Sequence, residues 1–138
     1  MARRLPPLGG IHEAALYVRD VEAAERFWTR LGFQLHHRRP GKYAFFRAGR
    51  DMLLLFQPVA SLTGPGPVPR HGALGPGHVA FDVPDDAALE AWRRHLERAG
   101  VPIEAEIAWP RGGRSLYLRD PAGNSVELAS PRIWGFPE

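Results

Sequence analysis

Two stretches of this chain, Glu13–Leu31 and His78–Leu96, align with each other without a gap. Identical residues fall at Ala15/Ala80, Val18/Val83, Asp20/Asp85, Ala23/Ala88, Glu25/Glu90 and Leu31/Leu96. Leu16/Phe81 and Phe27/Trp92 match in kind. A chain that repeats itself over such a length builds one supersecondary unit twice and buries the two units against each other. The 138 residues hold two such units within one ordinary domain.

Each copy reads as strand, cap and helix. Ala14, Leu16 and Val18 alternate with Glu13, Ala15 and Tyr17, the period of a half-buried strand. Asp20 is a good N-cap. Val21, Ala24, Phe27 and Leu31 then recur at helical spacing until Gly32 stops the helix. In the second copy Val79, Phe81 and Val83 alternate with His78, Ala80 and Asp82, and Asp85 or Asp86 caps. Leu89, Trp92, Leu96 and Ala99 form the stripe that ends at Gly100.

Three strand-like segments follow each helix. The first set is Phe33–Arg39, Lys42–Ala48 and Met52–Gln57, and the second is Ile103–Trp109, Arg114–Arg119 and Ser125–Ala129. Turn residues separate them, as in Pro40-Gly41, Pro110–Gly113 and Asp120–Asn124. The expected class is α+β, with two βαβββ modules in tandem within one domain. Residues 1–10 form an N-terminal tail, 11–57 the first module, 58–77 a crossover rich in Gly and Pro, 78–131 the second module and 132–138 a C-terminal tail. The crossover reads as either an ordered strap or a mobile lid.

Composition narrows the function. An apolar fraction of 44% supports a real core. No apolar run reaches the roughly 18 residues of a membrane span, and no apolar stretch follows Arg3 and Arg4, so no membrane partner or secretory signal is expected and the location is read as cytoplasmic. There is no cysteine, which leaves His, Asp and Glu as ligands for any metal. The net charge is only +3, Lys42 is the sole lysine, and acidic residues are interspersed with the arginines. No nucleic-acid partner is therefore expected.

The ordered set of motifs resembles the glyoxalase/bleomycin-resistance/dioxygenase (vicinal oxygen chelate, VOC) superfamily. Gly77-His78-Val79-Ala80-Phe81-Asp82-Val83 resembles the first strand of a module of that family, and the run from Arg114 through Asp120-Pro121-Ala122-Gly123-Asn124 to Leu128 resembles its closing hairpin. Ala15–Asp20 and Leu31-Gly32-Phe33 carry the likeness in the first half. The resemblance implies that the two modules form a cupped, half-open barrel of mixed sheets. It also implies a divalent metal in the cup, held by the first and last strands of the modules, and a small-molecule substrate presenting neighbouring oxygens to it. It implies a homodimer as well.

Carried over residue by residue, the resemblance makes His78 and Glu127 metal ligands. Strand alternation turns both away from the helix-facing residues beside them. Glu13 stands where many members carry histidine. His12 is one step earlier, and one step along a strand reverses the face. The implied set is Glu13, His78 and Glu127 around Mn, Mg, Fe, Ni or Zn. Two carboxylates tilt it towards the harder ions. Leu54 falls where a further carboxylate would complete a glyoxalase I-like set. Ser115, Tyr117 and Arg119 alternate on one strand and are candidate substrate-binding residues, with Tyr17 and the crossover residue His71. A solvated loop position is the other reading of His71, and no catalytic residue is assigned.

Two functions follow as expectations. One is a metal-dependent lyase, isomerase or transferase acting on a small oxygenated metabolite or xenobiotic. The other is a metal-free protein that sequesters a ligand, as bleomycin-resistance-like members do. A ring-opening dioxygenase wants two histidines beside its carboxylate, and only His78 stands at a matching position.

Overall fold

The computed structural model describes residues 6, 7 and 9–138. The rest of the expected N-terminal tail, residues 1–5 and 8, lies outside the described residues.

The first module runs β1 (Glu13–Tyr17), α1 (Val21–Arg30), β2 (Gln34–Arg39), β3 (Tyr43–Ala48) and β4 (Asp51–Phe56). A short helix follows, α2 (Pro58–Thr63). The second module runs β5 (His78–Asp82), α3 (Asp86–Arg98), β6 (Ala105–Ala108), β7 (Arg114–Arg119) and β8 (Ser125–Ala129). Each module folds into one four-stranded sheet, in the orders β1-β4-β3-β2 and β5-β8-β7-β6. In each, the first strand pairs in parallel with the last and the other pairings are antiparallel. The sheets are cupped and do not close into a barrel.

The punctuation of the repeat is physical. Asp20 accepts a hydrogen bond from the Ala23 amide at 2.9 Å, and Asp85 accepts one from the Ala88 amide at 2.8 Å. Both are N-caps that satisfy an otherwise orphaned donor. The helices end before Gly32 and Gly100, whose φ angles of 97° and 70° suit glycine alone among common residues.

Alternation then sorts each sheet into two faces. In the first, Leu16, Ala44, Phe46, Leu53 and Leu55 are buried in the core with α1. In the second, Leu116, Leu118, Val126 and Leu128 fill the same role with α3. The modules share this core. Trp28 of α1, which is 0% exposed, meets Phe81 of β5 edge-on at 5.9 Å, and Phe33 packs on Phe81 at 5.1 Å. His95 Nε2 on α3 lies 2.7 Å from the Leu31 carbonyl at the end of α1. Both helices therefore sit on one side, leaving the opposite faces of both sheets for the cup.

Two segments depart from expectation. The crossover begins with α2, which Gln57 caps by accepting from the Ala60 amide at 2.8 Å. The C-terminal tail begins with a 3-10 turn, Pro131–Trp134, closed by Gly135 at φ 77°.

Candidate functional site

The closing strands of the second module build a polar chain into the cup. Glu127 lies on β8, where the register pairs it with Ala80 of β5 and Tyr117 of β7. The residue is only 6% exposed. A buried carboxylate is costly unless its oxygens are satisfied. Ser115, 0% exposed, donates its hydroxyl to Glu127 Oε2 at 2.6 Å. Trp109, just past β6, donates its indole N–H to Ser115 Oγ at 2.8 Å. The relay Trp109–Ser115–Glu127 thus fixes one carboxylate oxygen.

The other oxygen faces His78. Glu127 Oε1 is 3.2 Å from His78 Nε2. On the far side of the ring, His78 Nδ1 lies 3.1 Å from the Ser125 carbonyl and 3.2 Å from Ser125 Oγ. A carbonyl can only accept, so Nδ1 carries the hydrogen of the neutral ring. Nε2 then directs a lone pair at a carboxylate oxygen. A proton or a cation between the two satisfies both. Two ligands of one zinc-sized ion lie about 3–3.5 Å apart when each is bound at its ordinary length. The spacing of this pair fits a shared cation, and the Ser115 and Ser125 contacts are the kind of outer support that orients metal ligands.

Tyr117 borders the pair, its ring stacked on His78 with centroids 6.4 Å apart. Burial raises its phenol above the ordinary value, and the Glu127 carboxylate adds to the rise. The phenol stays a hydrogen-bond donor at neutral pH.

The remaining sequence candidates are placed differently. Among the described residues no three His, Asp or Glu side chains gather closely enough to hold one ion. Glu13 lines a groove that His78 also lines, across the seam of β1 and β5, but it does not join His78 and Glu127 in one cluster. Alternation sets the face of Glu13 and not its distance across that seam. Ser115 does not present its hydroxyl to the cup, because that hydroxyl is committed to Glu127. Arg119 is held at the edge by Glu104 at 2.8 Å and the Gly123 carbonyl at 3.0 Å. His71 is half-buried and not a solvated loop histidine. Its Nδ1 is 2.7 Å from the Tyr17 hydroxyl, and its ring stands edge-on to Phe56 at 4.5 Å. No sequence pattern marks Trp109 for this role; only the hairpin geometry of β6 and β7 aims its N–H at Ser115.

The first module offers a second concavity of about 770 Å³ on the cup face of its sheet, bounded by Tyr17, Tyr43, Phe45, Phe56 and the crossover. Leu54 lies here. It pairs with Ala15 of β1 just as Glu127 pairs with Ala80 of β5.

Comparison with known proteins agrees with this architecture. The model of the Glyoxalase/Bleomycin resistance protein/Dioxygenase superfamily matches residues 10–128. The chain belongs to that superfamily. A crystal structure described as lactoylglutathione lyase from Agrobacterium tumefaciens is 43% identical, with a TM-score of 0.89, covering 95% of this chain and 100% of that one. A glyoxalase/bleomycin resistance protein/dioxygenase from Nocardioides is 23% identical with a TM-score of 0.69, covering 91% of this chain and 85% of its own. A fosfomycin resistance protein from Mesorhizobium loti is 22% identical with a TM-score of 0.57, covering 88% and 91%. The last two show the shared fold alone. No curated protein sequence matches. Among the described residues no helix is long and apolar enough to cross a membrane.

Proposed function

We propose that this chain is a divalent-metal-dependent enzyme of the superfamily, a lyase, isomerase or transferase acting on a small oxygenated molecule. The observation that carries the reading is the facing pair, His78 Nε2 and Glu127 Oε1 at 3.2 Å, each backed by its own hydrogen bonds. Two lone pairs built to face each other in a supported frame are a cation site in waiting. The likeness to a protein described as lactoylglutathione lyase supports lyase chemistry among the three.

In this reading His78 and Glu127 would hold the ion, and Glu13 lines the same groove as His78 across the seam. A divalent ion held by this pair would supply Lewis-acid polarisation of a substrate oxygen. Tyr117 donates a hydrogen bond to an oxygen beside that centre. Ser115 and Trp109 hold the Glu127 carboxylate so that it does not reorganise as charge develops. Tyr17 and His71 meet the rest of the substrate in the first module's cup.

The test is metal content. Protein purified without chelator is expected to carry close to one divalent ion per chain by mass spectrometry, and the His78→Ala variant to carry none while keeping its circular dichroism spectrum. A second reading, a metal-free protein that sequesters a ligand, draws on the absence of a three-ligand cluster among the described residues. Wild-type protein that binds neither Mn²⁺, Ni²⁺ nor Zn²⁺ in calorimetry would overturn the metal reading.

A further inference from the structure

The strand registers of the first sheet lay its cup face out in rows. Arg39 pairs with Tyr43, Tyr43 with Phe56, and Phe56 with Tyr17, so these four residues cross all four strands in one line. The next line inward on that face is His37, Phe45, Leu54 and Ala15. The third contains Arg47, Met52 and Glu13. The outer line is aromatic apart from Arg39, and Phe45 and His37 extend it into the second. Tyr43 and Phe45 stack at 4.3 Å with 16° between their planes, and Phe56 meets Phe45 edge-on at 5.3 Å. His71 closes over this floor from the crossover, pinned by the Tyr17 hydroxyl at 2.7 Å.

Charge completes the pattern. Arg39 and Lys42 line the same cavity at its outer end. Neither makes an ion pair among the described residues, whereas Arg38, Arg93, Arg114 and Arg119 do. Glu13 stands at the opposite end, four residues along β1 from Tyr17, or about 13 Å at strand spacing. The cup is thus an aromatic slot with Arg39 and Lys42 at its outer end, Arg70 beside His71 on the crossover, and a carboxylate at the opposite end. Aromatic floors favour flat rings, and a guanidinium beside an ammonium favours an anion.

We propose that the first module's cup binds a planar aromatic anion. The ring packs among Tyr43, Phe45 and Phe56 alongside His71, and the acid group lies on Arg39 and Lys42. This end-to-end order turns the other end of the ligand towards Glu13 and the seam with the second module. The proposal rests on the reading that the cup receives this chain's small molecule, and it names the chemical class that the slot selects.

Calorimetry with 2-naphthoate and its neutral counterpart 2-naphthamide, on chelator-treated protein, tests it. Naphthoate is expected to bind saturably at one per chain and at least tenfold more tightly than naphthamide. The double variant Arg39→Gln/Lys42→Gln is expected to bring the two within about threefold while leaving the naphthamide affinity unchanged, which also reports that the slot is intact. Equal binding of the two probes by wild-type protein, no saturable naphthoate binding, or a preference that survives in the double variant would each overturn the proposal. Because metal is stripped beforehand, failure here is distinct from failure of the metal reading, which is judged by metal content alone.

Discussion

Leu54 and Glu127 occupy the same place in the two halves of the molecule, each paired with the alanine at the centre of its module's first strand. One half puts an apolar side chain there and the other a buried acid. The pseudo-symmetric cups have therefore diverged in chemistry: the first is an aromatic slot, the second a polar relay.

The relay gives the sharpest prediction for mutation. Trp109→Phe keeps the ring and removes the N–H that holds Ser115. Ser115→Ala leaves Glu127 Oε2 without its donor. Outer-sphere losses of this kind typically cost about 10–100-fold in metal affinity. Calorimetric titration with Zn²⁺ or Mn²⁺ should show a loss in that range for both variants, with His78→Ala losing binding outright.

Stability should depend on Asn124. Its buried side chain accepts from the Gly77 amide at 2.7 Å and donates to Asp120 Oδ2 at 2.9 Å. Asn124→Ala removes the acceptor of the Gly77 amide and the buried bond to Asp120, and each such hydrogen bond contributes about 0.5–1.5 kcal/mol. Urea unfolding monitored by tryptophan fluorescence should show a lower midpoint with an unchanged slope.

Acid should loosen the outer face of the second module. Arg114 donates to Glu90 and holds its carboxyl below the usual range, burial opposes this, and Arg93 adds to the lowering. A carboxyl depressed in the folded state stabilises above its unfolded pKa and loses that contribution as pH falls through the folded value. Wild-type melting temperature should therefore drop from about pH 4.5 downwards. Glu90→Gln should be less stable at neutral pH and show a smaller further loss on acidification.

A homodimer is the expected state in solution. Every residue of β6, at one sheet edge, is exposed, and Trp134 is 77% exposed close by in sequence to β8. Unpaired edges and exposed aromatic surface are commonly covered by a second copy. Light scattering at micromolar concentration should give twice the 15.4 kDa chain mass; a single-chain mass would count against it.

Much of the fold is legible in the residues themselves because the repeat states it twice. Asp20 and Asp85, Gly32 and Gly100, and the alternation around Leu16 and Phe81 mark caps, stops and faces by local rules. The strand boundaries move by a residue or two, most at β6, where Ile103 and Glu104 precede the paired segment. Helix α2 leaves little signal in the sequence because it spans only six residues and its cap is a glutamine, outside the usual set. In the site, alternation places His78 and Glu127 on one face, and the parallel register of β5 and β8 brings them into contact. What alternation cannot carry is distance between sheets, which is why Glu13 has the right face without the right neighbours. The roles of Trp109 and His71 depend on a hairpin and a crossover whose paths no short-range pattern encodes.

The bond between Asn124 and Gly77 has a consequence for exchange with solvent. The Gly77 amide is sealed by Asn124, and its carbonyl accepts from the Ser125 amide at 2.9 Å, so the crossover's last residue is part of the second sheet. Among the described residues, 65–70 have no such seal, and His71 is tied down through Tyr17 and the Ser61 carbonyl. In deuterium oxide the crossover should divide into a rapidly labelled stretch and a slow terminus at Gly77. A molecule settling into the first cup would retard labelling up to His71 and leave the Gly77 rate unaltered, so the strap can yield without carrying the second module with it.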